Sequence, residues 1–242
     1  MQKIYFDHAS TTPTDPQVIA AMLPFFNEKF GNASSVHSFG REAQKALEDN
    51  REIIAKFLGA QRNEIIFTSG GTEANNLALI GTARSLRPKG RHIIVSQIEH
   101  VSVLETVQYL EKEGFQVTYL KVDGLGRIAL EELKAAISDQ TILVSIMHAS
   151  NEIGTLEPIA QIGKITSEKN IIFHVDAVQT VGHLPINVKE LNIDLLSFSA
   201  HKLYGPKGVG GLYVRKGVKL ASYLLGGNQE QCLRASTQNV AG

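Results

Sequence analysis

The apolar residues of this chain change period repeatedly, and the changes mark out its elements. After a strand-like segment running from the amino end to Asp7, Asp15-Pro16 reads as an N-cap followed by proline at the first helical position. Val18, Met22, Phe25 and Phe26 then fall on one helical face, which predicts a single helix. A second amphipathic stretch carries Ala43, Leu47, Ile54, Phe57 and Leu58 at helical spacing and stops at Gly59, the residue type that best tolerates the left-handed conformation closing a helix. Short apolar runs follow at Ile65 to Phe67, Ile93 to Val95, Val117 to Leu120, Ile142 to Met147, Ile171 to Val175 and Leu195 to Phe198, each of strand length. Helical patterns at 72–84, 101–113, 129–137 and 158–169 lie between them, the last opening with Glu157-Pro158. Alternating strands and helices imply right-handed crossovers, so the expected fold is α/β in three layers, a mainly parallel sheet with helices on both faces. Ligands in such sheets sit beyond the carboxyl ends of the strands. No repeat, low-complexity tract or Pro/Ser-rich linker marks an internal boundary.

Composition narrows the classes of function. With 242 residues, 43% hydrophobic and 20% charged, the chain can bury a sizeable core. Lysine plus arginine and aspartate plus glutamate number 24 each, so no net field draws it to nucleic acid or an acidic membrane. Its apolar runs are far shorter than the ~20 residues that span a bilayer. The amino end shows no signal-peptide pattern, and the single cysteine, Cys232, fits a reducing compartment. A cytoplasmic protein acting on small molecules is expected.

Three strand ends carry candidate chemistry. Thr68-Ser69-Gly70-Gly71-Thr72 supplies small residues and a hydroxyl where a helix begins, a place suited to phosphate but also an ordinary strand-to-helix turn. Asp176 ends the apolar run from Ile171, so its carboxylate needs a partner: the protonated nitrogen of a cofactor pyridine, or the backbone of a turn that it caps. Gln179 could reach the same ligand. Lys202 follows the strand Leu195 to Phe198 in the turn-rich segment Ser199-Ala200-His201-Lys202. A lysine there is either solvated or, if partly desolvated near another cation, an amine able to attack a carbonyl. His8, His37, His174 and His183 lack the spacing that builds a metal site on one element, and His174, alternating within a strand, reads as packed or hydrogen-bonded.

Taken in order, Tyr5 to Thr12, Asn32 to His37, Ser69 to Asn76, Glu99-His100, His148 to Gly154, Asp176 to Gln179 and Ser199 to Lys202 resemble the motifs of the cysteine desulfurases, a family of class V, fold-type I pyridoxal-phosphate enzymes. The resemblance spans the whole chain. It implies that residues 1–14 form an N-terminal segment and 15–242 the large domain that binds pyridoxal 5'-phosphate. Lys202 would hold the cofactor covalently and then move the substrate's α-proton. Asp176 would pair with the pyridine nitrogen, Gln179 with the phenolic oxygen, and His100 would stack on the ring. Gly71, Thr72, Ser199 and His201 would bind the phosphate, Asn151 would lie beside ring and substrate, and Thr237 would reach the phosphate of a neighbouring subunit. The implied reaction takes L-cysteine to L-alanine and passes sulfur to an enzyme thiol, within a homodimer that serves an iron–sulfur scaffold or another sulfur acceptor. Selenocysteine lyase chemistry, or a non-catalytic scaffold partner, are the alternatives.

The sequence also departs from the family. Full-length members continue into a smaller domain carrying the sulfur-accepting cysteine and the arginine that grips the substrate carboxylate, so that C-terminal domain is expected to be absent here. Cys232 sits where relatives have an arginine, and neither it nor Arg234 is assigned those roles.

Overall fold

The computed structural model describes residues 3–222 and 224–242. Asp15 accepts the Gln17 amide and caps helix α1 (Pro16–Met22), as expected, but the helix is interrupted. Pro24 has no N–H to continue it and opens a separate turn, α2 (Pro24–Asn27). Helix α3 (Ser38–Leu58) ends at Gly59, whose φ of 72° is left-handed. Residues 3–7, expected as a strand, form none, and residues 1 and 2 lie outside the described chain. The segment instead runs across the molecule to the loop after residue 199. There the Thr12 N–H donates to the His201 carbonyl at 2.9 Å, and the Asp15 N–H to that of Tyr204 at the same distance.

The centre is a seven-stranded sheet of β1 (Ile65–Thr68), β2 (His92–Ser96), β3 (Gln116–Leu120), β4 (Thr141–Met147), β5 (Ile172–Asp176), β6 (Leu195–Ser199) and β7 (Gly210–Val214), in the order β1-β7-β6-β5-β4-β2-β3. From β6 to β3 every pairing is parallel. Only β7 runs against its neighbours, β6 and β1. Its first two residues explain why it escapes the sequence pattern. A Cβ on Gly210 would lie 2.7 Å from Gly70 Cα, and one on Gly211 would lie 2.3 Å from the Phe198 ring. Close packing forces glycine there, at the cost of a strand signature.

Helices α4 (Gly71–Leu86), α5 (Val101–Lys112), α6 (Leu130–Ala136) and α7 (Ile159–Glu168) complete the layers. Ile94, Val144, Ile146, Phe173, Val175 and Leu196 point into one core with Leu58, Leu133 and Ile162. Ile93, Val95, Leu143 and Leu195 point the opposite way, to Leu77, Leu79, Val103 and Val107 of α4 and α5. Period-two alternation thus supplies two apolar faces from one sheet. Within it His174 is fully buried between Ser145 Oγ (2.8 Å) and Ser197 Oγ (2.9 Å), and burial pushes its pKa down to about 3. No helix among the described residues is long and apolar enough to cross a membrane.

Candidate active site

The parallel strands and β1 all end on one side, where the ends of β4, β5 and β6 and the segments after β1 and β2 line a cavity of about 470 Å³. Its size suits a small molecule, since ligand pockets typically fall near 300–1,000 Å³. Gly71 and Thr72, where α4 begins, meet Ser199 and His201, where β6 ends, at one end of it. Helical N–H groups at such a start lack intrahelical acceptors, which suits an anion. The fit is close: a Cβ on Gly71 would stand 2.6 Å from Val178 Cγ2, so only glycine lets α4 approach the β5–β6 connection this nearly. His201 Nδ1 lies 3.1 Å from Thr11 Oγ1. Burial, with Lys202 and Lys207 adding positive charge, lowers its pKa and favours the neutral ring.

Asp176 closes the floor. Its Oδ1 accepts the Val178 N–H at 3.0 Å and its Oδ2 the Asn75 side-chain amide at 2.7 Å. Burial raises its pKa, while these two bonds and the charges of His100 and Lys202 act against that rise. Lys202 is half-buried; desolvation lowers its pKa, although Asp176 and Asp7 pull the other way. Its Nζ donates to the Ala9 carbonyl, which also accepts Gln179 Nε2 at 2.9 Å. His183 Nε2 donates to the Lys202 carbonyl at 2.9 Å and braces that turn. Asn151 and His100 complete the walls.

Nine of the ten candidate site residues therefore share one cavity: His100, Gly71, Thr72, Asn151, Asp176, Gln179, Ser199, His201 and Lys202. Thr237 does not line it and is exposed on the segment after Arg234. Arg234 itself is held by Glu73 (Nε–Oε1 2.8 Å) at the start of α4. Sequence reasoning missed other members of the wall. Asp7, Ala9 and Ser10 belong to the N-terminal segment, and Asn75 and Ser102 lie within helices. The signal for the last two is polarity at positions where an apolar residue packs by default, flanked by Ala74, Leu77 and Val103.

The chemistry on offer is a partly desolvated amine and a buried carboxylate across one small cavity from a helix start with free N–H groups. Comparison with known families meets this geometry directly, for the model of "Aminotransferase class-V" matches residues 4–241. The chain belongs to the class-V aminotransferase family. Among curated members of the family it is 58% identical to "Cysteine desulfurase IscS" of Dictyoglomus turgidum, over all of this chain and 61% of that protein. It is 53% identical to "Putative cysteine desulfurase IscS 1" of Bacillus subtilis, over all of this chain and 64% of that one. It therefore spans a little over three fifths of the length of these relatives. Among class-V structures, one titled "NIFS-LIKE PROTEIN" superposes with a TM-score of 0.97 at 46% identity, covering all of this chain and 67% of its own. A second, "SspA in complex with cysteine", gives 0.96 at 43%, covering 99% of this chain and 70% of its own. The expected fold class is thus the observed one.

Proposed function

We propose that the chain is the large domain of a pyridoxal-phosphate-dependent cysteine desulfurase, which converts L-cysteine to L-alanine and delivers the sulfur to a thiol. The observation that carries the reading is the joining of Lys202, Asp176 and the Gly71–Thr72 helix start in one cavity of cofactor size, in a chain whose close relatives bear that name. Bound there, pyridoxal phosphate supplies an electron sink for the substrate α-carbon. The protein's own residues do the rest. Lys202, its amine made easier to deprotonate by desolvation, is the attachment point and the base for the α-proton. Asp176 holds a proton on the ring nitrogen, Gln179 meets the phenolic oxygen, and His100 covers the ring. Gly71, Thr72, Ser199 and His201 grip the phosphate, and Asn151 orients ring and substrate. In a homodimer Thr237 would reach the phosphate of the other copy, consistent with its exposure here. The same reading makes the protein a cytoplasmic sulfur donor to an iron–sulfur scaffold or another acceptor.

Sulfur transfer also needs a thiolate close to the substrate sulfur. Cys232, the single cysteine, is exposed and does not line the cavity. The 242 residues should therefore exchange the substrate α-proton but release sulfide slowly, because a positioned nucleophile is worth an effective concentration of ~10⁵ M or more. Two measurements test the reading. Borohydride reduction after loading with pyridoxal phosphate should leave a pyridoxyl adduct on Lys202 in the mass spectrum, absent in Lys202→Ala; an adduct on Lys207 instead overturns the assignment. Full sulfide release by this chain alone, lost in Cys232→Ser, would show that Cys232 is the nucleophile after all.

A further inference from the structure

Within the wall of the cavity a run of hydrogen bonds joins α4, α5 and β5, and none of the roles assigned above uses it. Asn75 of α4 is 1% exposed. Its Nδ2 donates to Asp176 Oδ2 at 2.7 Å and to Ser102 Oγ at 2.9 Å. An amide nitrogen carries two hydrogens and accepts nothing, so both are committed and the serine oxygen is a receiver. The hydroxyl hydrogen of Ser102 then goes to its other neighbour, His100 Nδ1, at 2.8 Å. The backbone N–H of Ser102, which can only donate, points at the same nitrogen from 3.1 Å as the cap of α5. Two donors converge on Nδ1, so that atom presents a lone pair and the neutral ring carries its hydrogen on Nε2. At the far end of the run both Asp176 oxygens accept, which is the pattern of an ionised carboxylate. Turning the amide over would set its oxygen against Asp176 Oδ2, a contact that only a protonated carboxyl tolerates. Asn75 Oδ1 is moreover buried with no partner among the described residues, a cost that an apolar residue of the same volume would avoid. What the amide contributes is its two hydrogens.

We propose that Asn75 and Ser102 are positioning residues of this site, which together hold Asp176 as an accepting carboxylate and His100 as the Nε2–H tautomer, so that the imidazole offers the cavity a donor and not a lone pair. The proposal deepens the function proposed above and rests on it for what the donor meets. The run of bonds itself is a property of the chain. It links α4, α5 and β5, so the accepting nitrogen of the ring on one wall and the accepting oxygen of the carboxylate on the floor are fixed through one amide.

Nitrogen-15 NMR of the histidine-labelled chain tests this, first without cofactor and then with pyridoxal phosphate, using His100→Gln to assign the signal. Around neutral pH the parent should show His100 with Nε2 protonated and Nδ1 bare. Ser102→Ala and Asn75→Leu should each shift the ratio toward Nδ1–H by roughly tenfold, the effect of losing about one hydrogen bond. Ser102→Thr, which keeps the hydroxyl, should restore the parent ratio. An Nδ1–H tautomer in the parent overturns the proposal, as does an unchanged ratio in both folded variants. The parent spectrum decides even if a variant fails to fold. Because the first measurement uses no cofactor, failure to attach pyridoxal phosphate to Lys202 would count against the function and leave the tautomer result standing.

Discussion

Glu99 shows how far one residue's chemistry can depart from its ordinary state next to this site. Its Oε1 accepts from Ser96 Oγ at 2.6 Å and from the Met147 N–H at 3.0 Å, and its Oε2 is buried without a partner among the described residues. Burial, with the nearby negative charges of Asp176 and Glu157, pushes its pKa up to about 8. The unfolded chain releases that proton near the ordinary 4.5, whereas the folded chain keeps it. Between those values the native state binds more protons, so stability falls as pH rises, by at most ~1.4 kcal/mol per pH unit. The contribution is complete below the lower value and gone above the upper one. Glu99→Gln keeps both accepted bonds and cannot ionise. Its stability relative to the parent should therefore grow from pH ~5 to pH ~8 in urea titrations; parallel curves would show that Glu99 is ionised in the native state. At this scale the apolar runs marked Lys202 and Asp176 only as strand-end positions, which both line the cavity, and the family resemblance supplied their expected roles. Asn75, Glu99 and Ala9 were not legible, because their roles arise only once α4, α5 and the N-terminal segment are folded against strands far away in sequence.

Among the elements, the edge strand β1 depends on a buried ion pair that no local pattern signals. Arg51 of α3 meets both Glu230 oxygens, at 2.6 and 2.8 Å, and donates to the Ile65 carbonyl at 2.8 Å. Its guanidinium lies 4.6 Å from the centroid of the Phe67 ring, and Glu230 accepts the Phe67 N–H at 2.8 Å. One side chain from α3 and one from the C-terminal segment thereby clamp the strand that leads into the Gly71 turn. Arg51→Met should cost about 3–5 kcal/mol, because it strands a buried carboxylate. Arg51→Met combined with Glu230→Gln should recover part of that loss, and chemical denaturation of the single and double variants measures the coupling. A loss below ~1 kcal/mol for Arg51→Met would show that water enters and solvates Glu230. The sequence pattern located α4 to α7 and six of the strands within a residue or two, and the end of α3 at Gly59, since each is long enough to show its period; the start of α3 at Ser38 lies five residues before its first marked apolar position. The pattern failed where packing overrode it: at Pro24, which divides an apparently continuous helix, and at Gly210-Gly211, where contact with β6 and Gly70 displaces the residues that would have announced β7.

At the scale of the whole molecule, the residue that separates a one-chain from a two-chain site is Thr237. It is the one expected phosphate ligand that the fold leaves outside the cavity wall. In addition, α2 leaves Phe26 and α3 leaves Ile53 and Phe57 exposed, so the described chain also carries apolar surface beyond what its own core covers. If Thr237 serves a second copy, defects in Thr237 and Lys202 should complement each other when chains are mixed. A Lys202→Ala homodimer has no amine to label, and a Thr237→Ala homodimer holds the cofactor more weakly by one charge-assisted hydrogen bond, roughly 10- to 100-fold. A mixed dimer places both defects in one site and leaves the other intact, with Lys202 from the Thr237→Ala chain and Thr237 from the Lys202→Ala chain. At a pyridoxal phosphate concentration between the two affinities, exchange of subunits should therefore raise borohydride-stable label on the Thr237→Ala chain above that chain's level alone. Were Thr237 to act within its own chain, every Lys202-bearing site in the mixture would still lack it, and mixing would add no label at all.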